Sequence, residues 1–274
     1  MELSRNIKRA ADRYEPVETA GLTLWPIRVC EREEFERARP AIDVIQQALP
    51  VRYAVMPLLT AYWGMDLESM ERGEEPVGLF NRALAFLALA LRLGEGRSLS
   101  DRISLFHVKL SPENVMDLKG ISFTWNGEEE ITITPVQFQR LRAILAYQNG
   151  IELTDEDANP DLLEAEAELA RRNGPKLRRD PASLLSAVAL FTGCEEAEMD
   201  EWPILKLKRR QEAIQRAADY LICGISEGNG VKWKGGNPVP HLFYDRERDD
   251  VGDMTLLSQF TNNTKQTEKE REQT

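Results

Sequence analysis

The spacing of apolar residues along this chain is helical over most of its length and shortens to the period of a strand in two places. Residues 2–14 carry a charged helical pattern that Glu15-Pro16 closes, because the residue before a proline is pushed out of the helical region. In LTLWPIRV, residues 22–29, Trp25, Ile27 and Val29 fall on alternate positions and predict a strand. Pro26 confines that strand to a sheet edge, since proline has no N–H to give a ladder. A helical region follows over 32–48, interrupted near Pro40. Two apolar helical segments, Val51–Trp63 and Val77–Leu93, come next, joined by the polar link MDLESMERGEEP, and predict the centre of an N-terminal helical core.

Around residues 103–133 the period becomes two. Ile103, Leu105 and His107 alternate with Ser104, Phe106 and Val108, and ISFTW and ITIT flank Asn126-Gly127. Asn-Gly accepts positive φ at both central positions of a hairpin turn, so a small antiparallel sheet is predicted here. Thr134-Pro135-Val136-Gln137 then supplies an N-cap, a proline at the first helical position and a capping-box glutamine. Phe138, Leu141, Ile144 and Leu145 share one face of the helix that follows, and Asn149-Gly150 stops it. Asn159-Pro160 and Asp180-Pro181 open two further helices, stopped by Asn173-Gly174 and Gly193. A long helix over about 203–225 sets Ile214, Ala217, Ala218, Leu221 and Ile225 on one stripe. The expected fold is mainly α with a small antiparallel β element, α+β with a helical bundle-like core. Its regions are 1–100 (helical with an edge strand), 101–133 (β), 134–261 (helical with a glycine-rich loop) and 262–274 (a disordered tail).

Composition narrows the picture. Hydrophobic residues make up 42% of the 274 residues, enough for a globular core, and 30% are charged. The net charge of −11 sets a field that repels phosphate backbones, so nucleic acid is not an expected partner. The cysteines, Cys30, Cys194 and Cys223, are three in number and form no CxxC pair, which predicts reduced thiols in a cytosol rather than a disulfide framework or zinc site. The N-terminal MELSRNIKRAADRYEPVE lacks the apolar run of a secretory signal. The greasiest stretch, Ala83–Leu91, is nine residues against the ~20 a membrane span needs.

Motifs that suggest chemistry have structural readings beside them. His107 falls in the predicted sheet and His241 in a loop, neither at a spacing that specifies a triad or a metal site. Asp155, Asp157, Asn159 and Glu166 mimic positions one, three, five and twelve of a calcium loop. Pro160 stands where such a loop needs a glycine at positive φ, so no metal or cofactor is predicted, and the acids suit a helix N-terminus instead. Glu164 and Glu168 lie one helical turn apart, as on any solvated acidic face, and the glycines of 228–238 come without the GKS or GKT of a phosphate cradle. The basic run Lys206-Leu-Lys208-Arg209-Arg210 lies close to the acidic 195–201, which predicts internal charge pairing or a bipolar surface rather than a DNA-binding face. One segment stands apart. VKWKGGNPVPHLFY combines aromatics with backbone punctuation, and Trp233, Lys234, Gly235, Gly236, Pro238, Pro240, Phe243 and Tyr244 are the candidate protein-contact residues; the alternative is that these aromatics fold back onto the C-terminal helices.

The order of short motifs AYQNGIELTDEDANP, PDLLEAEAELARRN, DPASLLSAVALFTG and WPILKLKRRQEAI, within residues 22–225, resembles proteins encoded among the morphogenesis genes of Firmicutes tailed phages and prophages. The resemblance implies a non-enzymatic tail-assembly chaperone in the cytoplasm of the bacterial host, with a tape-measure or other tail protein as partner. It implies no catalytic residues, and the WKGGNPVP loop departs from the pattern of that family. Alternative readings are a structural tail or connector component that stays in the virion, an inhibitor or regulator of a host protein, and a metal-dependent enzyme resting on the clustered acids.

From Asn262 the sequence NNTKQTEKEREQT has no apolar residue to bury. Truncation before Asn262 should therefore leave the melting temperature within a few degrees of the full chain's, measured by differential scanning calorimetry.

Overall fold

The structure is a computed structural model. It describes residues 3–125, 129–153, 181–233 and 236–242, together with Ala165, Glu168, Leu169 and Arg172. The chain divides into two units, Met1–Gln211 and Glu212–Thr274.

The first unit is organised by the apolar helix α5. To locate it, the preceding elements are α1 (Arg5–Asp12), β1 (Val17–Thr19), β2 (Leu22–Leu24), α2 (Arg32–Ala38), α3 (Val51–Ala54) and α4 (Leu58–Glu71), with α5 spanning Leu79–Ala90. Ten of the twelve residues of α5 are buried, so neighbours have to enclose it on every side. α2 and α4 pack against it, as does α6 (Leu99–Ile103). Phe35 meets Phe86 at 5.6 Å between ring centroids, and Trp63 meets Phe80 edge-on at 5.2 Å.

Burying this helix requires partners for its end groups. At its start Asp66, itself buried, accepts the N–H groups of Gly78 (2.7 Å) and Phe80 (3.4 Å). At its end the buried Arg102 donates to Ala88 O (2.7 Å) and Leu93 O (2.8 Å), and the Trp25 N–H reaches Ala90 O (2.7 Å). Asp66 belongs to the stretch expected as a polar link. That expectation is corrected: α4 continues through Met65–Glu71, because Asp66 turns inward as a cap while Glu68 meets Arg52, Arg72 and the Tyr53 hydroxyl on the outer side. The apolar segment expected as Val51–Trp63 is divided at Pro57 into α3 and α4, since proline opens a helix but does not continue one.

The strand expected over 22–29 is shorter. Only Leu22–Leu24 is extended in a ladder, paired with Val17–Thr19, which the sequence reading did not assign. Ala20 (φ 48°) and Gly21 (φ 76°) make the two-residue turn, both positive as a twisted hairpin favours. Beyond Leu24 other parts of the fold take up the backbone: Ile27 N–H goes to the Asn149 side chain, and Arg28 bridges Pro203.

A three-stranded meander follows, β3 (His107–Leu110), β4 (Leu118–Trp125) and β5 (Glu129–Ile133), in the order β3-β4-β5. Val108 faces Ile121, and Phe123 faces Ile131 across the ladders. Gly120 is required where β4 and β5 approach, since a Cβ there would lie 2.7 Å from Ile133 O. The alternation expected from Ile103 begins only at His107. Ser98 accepts the Asp101 N–H (3.2 Å) and starts α6, so Ile103 is helical. The Asn126-Gly127 turn lies outside the described residues.

α7, Pro135–Gln148, begins as expected, with Thr134 and Gln137 exchanging both capping-box hydrogen bonds (3.3 and 2.8 Å). Phe138, Leu141, Ile144 and Leu145 are buried in the same core as α5 and the meander, so residues up to Ile151 share one interior. α8 (Pro181–Thr192) stops at Gly193 (φ 70°), and α9 (Glu196–Met199) and α10 (Ile204–Gly228) follow. The capped starts at Asn159-Pro160, the stop at Asn173-Gly174, the calcium-like spacing and the tail from Asn262 lie outside the described residues. The fold is mainly α with two small antiparallel sheets, and no helix among the described residues is long and apolar enough to cross a membrane.

Leu141 is 2% exposed within this shared core. Leu141→Ala should destabilise the chain by ~2–5 kcal/mol in urea unfolding; a loss under about half a kcal/mol would contradict its packing.

Candidate functional site

The polar residues that look most like a site are taken up by the backbone. Gln148 and Asn149, the QN of the family-like motif, are buried where α7 ends. Gln148 donates to Leu24 O (3.0 Å) and Glu15 O (3.3 Å), while Asn149 accepts from Ile27 N–H (2.9 Å) and donates to Leu145 O (2.8 Å). Arg142, one turn earlier, donates to Ile42 O (2.7 Å) and Val44 O (2.6 Å). These side chains tie the β1-β2 hairpin and the loop after α2 to one helix.

A charged network sits beside them. Arg28 pairs with Glu95 (2.5 Å), Glu201 (3.1 Å) and Glu31 (3.7 Å), and Glu31 also holds Arg102 (2.9 Å). Burial alone would lower the affinity of the Arg28 guanidinium for its proton, but the hydrogen bond to Glu201 and the nearby Glu31 and Glu95 outweigh it and hold the proton more firmly. Backbone pairing fixes the strip, with Val29 N–H on Trp202 O (2.8 Å) and Cys30 N–H on Asp200 O (3.0 Å). Partial burial pushes the Cys30 thiol up, with Glu31, Glu201 and Asp200 opposing the thiolate against Arg28. Cys30 is therefore a poor nucleophile. The same burial raises the Asp66 carboxyl, against the backbone N–H groups that favour its charge.

His107 sits exposed in β3 opposite Ser122, and His241 is exposed in the C-terminal loop. Among the described residues no three His, Cys, Asp or Glu side chains converge as metal ligands. An open groove of about 490 Å³ runs beside α5, with Ala38 and Ala85 on its floor and Arg37, Arg82, Glu36 and Asn81 at its rim. It presents charge over an apolar floor, not an acid–base pair.

Lys206–Arg210 pairs differently from expectation. Arg209 binds Asp12 (2.6 Å), Lys208 reaches Gly150 O (3.0 Å) and Glu152 (3.6 Å), and Lys206 lies 4.0 Å over the Trp202 ring. The acids of 195–201 serve elsewhere: Glu201 meets Arg28, and Glu196 accepts from Ser186. Three-dimensional neighbours replaced sequence neighbours.

In the second unit, large apolar side chains stand among the exposed residues. Leu221, Ile222 and Ile225 of α10 are 62%, 59% and 64% exposed. Past the helix, Val231 and Trp233 are exposed at 47% and 36%, and Gly236 turns at φ 85°. Asn237 Oδ1 accepts the Val239 N–H (2.8 Å), which sets Pro238 and Pro240 outward. Lys234, Gly235, Phe243 and Tyr244 lie outside the described residues. The stripe Ile214, Ala217, Ala218, Leu221 and Ile225 forms within one helix, as expected, with Leu221 and Ile225 open to solvent. That openness left no mark in the helical period, which is the same for a buried and a free face.

Comparison of the chain with family models, with curated proteins and with solved structures finds no match.

Asn149→Ala should lower stability by ~1–3 kcal/mol, because it leaves the Ile27 N–H without its acceptor in the interior. Urea unfolding checks this; an unchanged midpoint would free the QN pair for a role outside folding.

Proposed function

We propose that the chain is a non-enzymatic bacteriophage morphogenesis protein, a tail-assembly chaperone acting in the host cytoplasm on a tape-measure or other tail protein. The reading is supported by the order of short motifs that resembles the tail-gene family and by one observation on the surface. The segment after α10 carries Val231 and Trp233 outside regular structure and in contact with water. Aromatic side chains are enriched at the centres of protein interfaces, where they bury a large area with few rotatable bonds. Pro238 and Pro240 restrict the backbone beside it, so less conformational entropy is lost when a partner orders the loop. In the first unit the buried side chains of Asp66, Arg102, Arg142, Gln148 and Asn149 each make hydrogen bonds to main-chain atoms, and Arg102 also pairs with Glu31.

The test is a double variant, Trp233→Ala with Phe243→Ala, co-expressed with a phage tape-measure protein. The expected outcome is loss of co-purification with an unchanged melting temperature. Lowered melting with capture intact in the folded fraction would return these aromatics to the core and defeat the proposal.

A further inference from the structure

The second half of α10 shows large apolar side chains to solvent. At 3.6 residues per turn, an arc of about 220° running from Tyr220 through Leu221 and Ile225 to Gln215 contains no charged residue. The opposite side carries Glu212, Arg216, Asp219, Cys223, Ser226 and Glu227. Cys223 is buried at 6% exposure, Arg216, Asp219 and Ser226 are half-buried, and Glu212 and Glu227 are exposed; on the apolar arc Ile214 and Ala217 are half-buried, while Leu221, Ile222 and Ile225 stand 59–64% exposed. A surface helix of a monomer buries its apolar arc and shows its charges. Contiguous exposed apolar patches of this kind mark association sites.

We propose that the solvent-facing side of α10 between Glu212 and Gly228 pairs antiparallel with the same face of a second copy of this chain. Two features select a second copy. The arc is neutral, so two chains that each carry −11 meet across it with no like charges opposed. Its side-chain sizes are also self-complementary. With a two-fold axis between Asp219 and Tyr220, residue numbers across the pair add to 439, so Leu221 lies over Ala218, Ile222 over Ala217 and Ile225 over Ile214 of the other copy. In two of the three pairs a large side chain then sits on an alanine, which lets the helices approach closely, and the contact closes on itself as a two-fold interface must. Antiparallel alignment also opposes the two helix dipoles. The helix is already formed in each chain, so pairing carries no nucleation cost. One helix face of this length buries on the order of 500 Å² per partner, less than the ~800 Å² of a standard interface, which places the contact among the small, weakly associating interfaces. The inference is independent of the proposed tail-protein contact, which uses the loop beyond α10.

Sedimentation equilibrium of the full chain from about 1 to 200 µM tests it, a range chosen to reach weak association. A monomer–dimer equilibrium is expected, abolished by Leu221→Glu with Ile225→Glu while circular dichroism and melting stay unchanged. Ala218→Leu, which adds bulk where Leu221 of the other copy rests, should weaken the dimer at least about tenfold and serves if the charged variant does not fold. Orientation is read in a background with Cys30→Ser and Cys194→Ser by mixing an Ala218→Cys chain with a Leu221→Cys chain. Heterodisulfides should dominate. A chain monomeric across the range, a dimer indifferent to these substitutions, or homodisulfides alone would each overturn the proposal.

Discussion

The first unit depends on enclosing α5, a helix buried at every residue from Ala83 to Ala90, with Asn81 and Arg82 exposed in its first turn. No arrangement leaves one side of LFNRALAFLALA in water without exposing large side chains, so α2, α4 and α6 gather on it. Full enclosure also removes water from the helix ends, where peptide N–H and C=O groups have no partners within the helix. Asp66 and Arg102 resolve that from opposite ends, one accepting N–H groups and the other donating to carbonyl oxygens. Ionisation of Asp66 is opposed by its burial and favoured by the amides it caps, and the net effect raises its pKa. A carboxyl with a raised pKa in the folded chain favours folding most when protonated, and that part of the stability fades as pH rises past the unfolded value of ~3.9.

The same economy of backbone satisfaction explains why polar residues that resemble a site are not arranged as one. An isolated buried amide or guanidinium costs free energy unless its hydrogen bonds are made. Gln148, Asn149, Arg142 and Arg102 make theirs to main-chain atoms distant in sequence, which converts that cost into specificity for one hairpin register and one loop path. The Arg28–Glu31–Arg102 chain of charges adds a link between the region after β2 and the strip 200–203.

The second unit works by the reverse logic. Here Leu221, Ile222 and Ile225 face water beside the exposed Glu212 and Glu227, while Cys223 is buried and Arg216, Asp219 and Ser226 are half-buried. Exposure of this kind is unfavourable in isolation and becomes favourable on association, which is the physical content of an interaction surface.

Much of this was legible in the sequence because local chemistry decided it. The start of α7 followed from Thr134, Pro135 and Gln137, whose capping bonds span three residues, and its stop from Asn149-Gly150. The mainly helical class, the meander and the burial of the Phe138–Leu145 face followed from periodicity. What the sequence left open was settled by contacts across long chain separations. The strand after Leu22 ended early because Trp25, Ile27 and Arg28 found partners at Ala90, Asn149 and Pro203. The polar link became helix because Asp66 had a buried helix end to cap, twelve residues away. The loop after α10 was visible as aromatics beside glycine and proline, but the exposure of Trp233 and of Leu221, Ile222 and Ile225 was not. A periodic stripe specifies which residues lie together on a helix; only the packing of the rest of the chain determines whether that stripe meets a core or water.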